Sequence, residues 1–129
     1  MAIRVVRLGT ARSRDEGLRI GTVRRPPRGV PKAEFAKRNF YDVWLPNLAP
    51  GEELVKAILH SDGGAAAWKR FERSYRAEMK KPEASRVLDV LAALSDQTNF
   101  SVGCYCEDEA RCHRSILRSL LEERGAQVV

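Results

Sequence analysis

The chain has 129 residues, 43% hydrophobic and 31% charged, and a formal net charge of +6. That length suits a single domain with one core; no apolar run reaches the roughly 18 residues of a membrane span, and Met1–Gly9 lacks the apolar segment and cleavage site of a signal peptide. Residues 1–38 carry 11 Lys/Arg against 3 Asp/Glu while the rest carries 12 against 14, so the excess charge is N-terminal, without the aromatic interleaving of a nucleic-acid motif.

Ile3–Leu8 alternates apolar and basic residues and predicts a strand, followed by a polar loop to Gly17 and a second strand over Leu18–Val23. Arg24-Arg25-Pro26-Pro27-Arg28-Gly29-Val30-Pro31 then interrupts regular structure, because proline removes a donor and restricts the residue before it. Phe40–Leu45 is aromatic and β-branched and predicts a third strand, with Trp44 in the core. Pro50 and the pair Glu52, Glu53 suit the start of a helix that reaches about Leu59, leaving His60 near its C-terminus.

Asp62 is expected to cap a second helix after Gly63-Gly64, with Trp68, Phe71, Tyr75 and Met79 on one core-facing stripe. Lys81-Pro82 separates it from a third helix carrying Val87, Leu88, Leu91 and Leu94. Phe100–Cys104 predicts a fourth strand, and Ile116, Leu117, Leu120 and Leu121 place a last helix against the core. Gly125 ends that helix, and Gln127–Val129 adds a short terminal strand. This order predicts a single-domain α/β sandwich over residues 1–129, with a small, mostly parallel sheet flanked by helices.

All three cysteines fall between Cys104 and Cys112, at a strand-to-helix junction, and His113 follows directly. In α/β proteins the carboxyl end of a strand beside a helix N-terminus is where ligands sit. Free thiols there suit a reducing cytoplasm, because an odd count cannot all pair within the chain.

Beside the plain reading that Cys104 packs as a small apolar residue at a strand end and the other two are incidental, three chemistries remain open. Cys104, Cys106, Cys112 and His113 are donors that suit zinc or iron, although C-x-C-x5-C-H is not a zinc-finger spacing, and adjacent Cys112 and His113 diverge on a helix. Cys106 or Cys112 near the helix start can serve as a nucleophile or redox thiol, with His113 as acid/base and Arg111 and Arg114 adding positive charge. Alternatively, backbone amides at the helix start hold an anion and the thiols only line its site.

Elsewhere, Arg24, Arg25 and Arg28 flank a rigid Pro-Pro pair and have the fork geometry to clamp phosphate or carboxylate. Asn47, in the turn Trp44–Pro50, is a candidate loop-orienting or ligand-binding residue.

Arg24–Pro31, Trp44–Pro50, the Trp68/Phe71/Tyr75/Glu78 helix and Gly103–Leu117, with C-x-C ahead of Cys-His-Arg, together resemble the DUF488 family, including features of its YeaO-like branch. The resemblance implies a compact α/β domain with an uncharacterised activity and no accepted catalytic mechanism.

The expectation is a small cytoplasmic protein with a pocket at the carboxyl ends of its strands. Arg24, Arg25, Arg28, Asn47, Arg111 and Arg114 would bind a small anionic ligand, phosphate-bearing in the simplest case. Cys106 or Cys112 with His113 would perform any covalent chemistry. One alternative is a binding or regulatory module that uses the basic N-terminal third for nucleic acid or an acidic partner; another is a small zinc or iron domain.

Overall fold

The computed structural model describes residues Met1–Val129. Its sheet has four strands: β1 (Ile3–Arg7), β2 (Leu18–Gly21), β3 (Val43–Trp44) and β4 (Phe100–Cys104). Their order is β1-β4-β2-β3 and every neighbouring pair is parallel. Four helices pack with it: α1 (Glu52–Leu59), α2 (Ala65–Met79), α3 (Pro82–Leu94) and α4 (His113–Glu123). No helix is long and apolar enough to cross a membrane.

The central strand β4 is buried at every position, as expected for a parallel strand covered on both faces. Ile3, Ile20, Phe100 and Val102 meet Phe71, Tyr75, Leu88, Leu117 and Leu121 in the main core. A second cluster of Leu8, Val23, Tyr41, Cys104 and Cys112 lies beyond the carboxyl end of β4. The terminal strand expected at Gln127–Val129 is a single parallel bridge, Ile3 with Val128.

Four expectations change in the structure. The third strand shrinks from Phe40–Leu45 to Val43–Trp44, because Tyr41 turns into the second cluster and packs edge-on against Phe35. Trp44 is not core: it stands on the edge strand 44% exposed, and its indole N–H donates to Val23 O at 2.7 Å. Asp62 does not cap α2; its carboxylate accepts from the Gly64 amide at 2.8 Å in a turn ahead of the helix, and Gly64 is the N-cap. On α3 the buried positions are Ala84, Leu88, Leu91 and Ala92, while Leu94 is exposed.

A buried ion pair ties β2 to the loops around it. Arg19 is fully buried, and its Nε and Nη2 donate to Glu16 at 2.6 and 2.9 Å. Its Nη1 donates to the carbonyls of Thr10 and Asn39, and Ser101 Oγ donates to Glu16 at 2.6 Å. Burial pushes the Glu16 carboxyl up, but the bonds from Arg19, Ser101 and the Ser13 amide outweigh it and hold it at about 2.

Gly17 precedes β2 with φ +75°, and a Cβ there would lie 2.0 Å from the carbonyl oxygen of Asn99. Gly17→Ala is expected to destabilise the fold by about 2–4 kcal/mol, from the left-handed backbone and the overpacking together. A urea titration checks this through the midpoint. An unchanged midpoint would mean that the Gly17 turn relaxes freely.

Candidate functional site

Because all four strands are parallel, their carboxyl ends share one edge of the sheet, where loops of separate elements converge. A cavity of about 610 Å³ opens there, within the range of small-molecule sites. Cys104 arrives on the end of β4, Cys106 follows in the loop, and Cys112 is the N-cap of α4. The loop between them closes with a short 3-10 turn over Glu109–Arg111, whose N-cap Asp108 accepts from the Ala110 amide.

This path brings the three Sγ atoms within 4.8 Å of one another, with Cys104 and Cys106 3.8 Å apart. All three are free thiols and all three line the cavity. The donor set and spacing are those that could hold one metal ion. Hydrogen bonds to Cys106 and Cys112, with burial, push the Cys104 thiol up. Bonds from Cys104 and Cys106, then from His113, bring the Cys112 thiol down against the effect of burial.

His113 is not among the converging donors. Its Nε2 lies 2.9 Å from Thr22 O and 3.2 Å from Thr22 Oγ1. A carbonyl only accepts, so Nε2 carries the proton, and Nδ1 faces Cys112 Sγ at 3.7 Å. Tyr75 packs edge-on against the ring, and its hydroxyl donates to Leu48 O at 2.7 Å, so it is turned away from the cleft and structural.

The arginines divide. Arg24, Arg25, Arg28 and Arg111 line the cavity. Arg24 donates to the carbonyls of Ala49 and Pro50, Arg25 pairs with Glu52 at 2.7 Å, and Arg111 lies 5.8 Å over the Trp68 ring. Arg114 sits behind the cluster, 3% exposed, with Nη2 donating to Cys106 O at 2.6 Å and Nε without a partner. It pairs with no carboxylate, so the thiols are the nearby groups able to balance its charge. Asn47 lies outside the cavity; its Nδ2 donates to Glu83 O, and it lines a separate polar hollow with Glu78 and Lys81.

Sequence reasoning missed the outer wall. Val55, Lys56, Ile58 and Leu59 of α1, with Trp68 of α2, complete the cavity. The available signal was the apolar content of the short helix Glu52–Leu59; in the structure the buried stripe of α2 runs Ala67, Phe71, Tyr75 and Met79, which leaves Trp68 half-buried beside it.

Comparison with curated proteins and with solved structures returned no match. A family model does match: DUF488-N3a, described as the active DUF488-N3 subclade, over residues 3–125. The match spans every strand and helix described above and the whole cysteine loop, and the chain belongs to the DUF488 family.

Proposed function

We propose that Cys104, Cys106 and Cys112 hold one divalent transition-metal ion, zinc by donor preference over iron, in a pocket that acts on a small anionic ligand. The observation that carries the reading is the convergence of three sulfurs on the wall of a cavity, backed by a buried arginine that lacks a carboxylate. Tetrahedral Zn–S bonds of about 2.3 Å place neighbouring sulfurs about 3.8 Å apart, and Cys104 and Cys106 stand at that separation.

Three thiolates and a divalent ion sum to one negative charge, which the Arg114 guanidinium balances. Three cysteine ligands would leave one coordination position free for a ligand, as in catalytic rather than structural zinc sites. When bound, such an ion supplies Lewis acidity toward an oxygen placed in that position. The residues of the chain do the rest: Arg28 and Arg111 draw the anion in, His113 is locked by Thr22, and α1 with Trp68 forms the apolar wall.

The test is elemental analysis of protein purified under reducing conditions, with a thiol count before and after denaturation. The expected result is about one zinc per chain, thiols shielded until the protein unfolds, and a sharp loss of stability with chelator. Cys106→Ser, at an exposed position, is expected to lose the metal and keep the fold. Metal-free protein that binds no added zinc would overturn the reading.

The contact of His113 Nδ1 with Cys112 Sγ favours a second reading, in which Cys112 is a nucleophile and His113 its base. Metal-free protein with one fast-alkylating thiol, lost in Cys112→Ser, would select it.

A further inference from the structure

We infer that the cavity takes an amphipathic organic anion: a ring-sized apolar body against α1 and Trp68, with a carboxylate or phosphate toward Arg28, Lys56 and Arg111. This rests on the cavity being the ligand site proposed above, and not on the metal.

The charge of the lining is one-sided. It carries four arginines and Lys56 against one acid, Glu52, which Arg25 already engages. Arg28 and Lys56 make no ion pair or side-chain hydrogen bond, and Arg111 contacts only the Trp68 ring, so three exposed cations at the cavity lack an anion. Arginine forks and a lysine point charge suit a carboxylate or a phosphate group equally.

The rest of the wall is apolar. Val55, Ile58 and Leu59 face Trp68 and Phe71, whose rings stack 5.0 Å apart at 16°. Leu54 and Ile58 of α1 pack partly against the core, whereas Leu59 is 74% exposed and Val55 half-buried, so the cavity-side apolar groups of this helix are only partly covered by the protein itself. An apolar ligand body in the cavity would cover them and recover the burial.

A sugar or nucleobase would meet few hydrogen-bond partners on this wall, and its polar groups would be buried unpaired. The lining therefore favours an aromatic or branched aliphatic acid or phosphate ester over a nucleotide.

The probe is 8-anilinonaphthalene-1-sulfonate, an apolar aromatic anion, titrated against the folded protein by fluorescence. Saturable binding at one site is expected, weakened about tenfold or more by Arg28→Ala with Arg111→Ala. Leu59→Asp, at an exposed position, should abolish binding with the circular dichroism unchanged. Phenyl phosphate and benzoate should displace the probe, and whichever does so at lower concentration identifies the anionic group. Benzyl alcohol and adenosine monophosphate should not displace it.

No binding, or binding that survives Leu59→Asp, would overturn the inference, as would displacement by the alcohol or the nucleotide as strong as by phenyl phosphate. The titration is run with and without chelator. Probe binding in protein that takes up no zinc would sink the metal reading and leave this one standing. A zinc-loaded protein that ignores the probe would do the reverse.

Discussion

Glu16→Ala is expected to destabilise the fold by about 3–5 kcal/mol, because it leaves the fully buried Arg19 guanidinium without its carboxylate. At roughly 3–6 °C per kcal/mol for a domain of this size, the melting temperature falls by about 10 °C or more. Glu16→Gln should cost less, since its amide oxygen still accepts one hydrogen bond, but the charge remains unbalanced. Glu16→Leu combined with Arg19→Met should cost less than either change alone, because no charge is then stranded. Differential scanning calorimetry of these variants, with Glu16→Leu and Arg19→Met also made singly, decides it. Equal losses in the single and double variants would show that the two side chains do not act as a pair.

The same group sets an acid limit. The Glu16 carboxyl is held at about 2, against an ordinary 4.5, so the folded state favours its ionised form. Its contribution is complete above the ordinary value and is lost as the pH falls from 4.5 toward 2. A downward shift of this size corresponds to about 3 kcal/mol at neutral pH. Asp42, partly buried but held down by Arg12, acts with the same sign. The difference between wild type and Glu16→Gln therefore isolates Glu16. That difference should be large at pH 7 and small near pH 2, read as the urea midpoint in each buffer.

Arg114→Leu is expected to weaken zinc retention by about 10–100-fold, the range found when groups supporting a metal's ligands are removed. The guanidinium is buried beside the cluster and donates to the Cys106 carbonyl, so its loss removes both a balancing charge and a tether on that loop. In metal-free protein the effect on stability should be small or favourable, because an unpaired buried charge with an unpartnered Nε is replaced by an apolar group. The signs are thus opposite in the loaded and empty proteins. Competition against a chromophoric chelator, with melting curves in chelator, measures both. Unchanged zinc affinity would remove Arg114 from the site and leave it as packing.

Much of the architecture was legible in the sequence because its signals are local. Alternating residues in Ile3–Arg7, the apolar run Phe100–Cys104 and the Pro82 break report period and punctuation that neighbours along the chain decide. The site's place was legible for the same reason: the end of β4 and the start of α4 bracket the cysteines, and parallel strands put that junction at the ligand edge.

What needed the tertiary structure were distances between parts of the chain with no local reason to meet. The separation of Cys106 and Cys112 depends on the turn at Glu109–Arg111, which no spacing rule sets. Arg111 and Arg114 are three residues apart on consecutive turns, yet one lies over Trp68 and the other is buried behind the thiols. Trp44 reads as core by composition, and only the strand order reveals it as an edge residue. The sequence by itself determined the parallel α/β layering and the neighbourhood of the thiols. Tertiary packing decided which charges are buried and which cavity the thiols face, because burial is a property of what long-range contacts cover rather than of the residue's own chemistry.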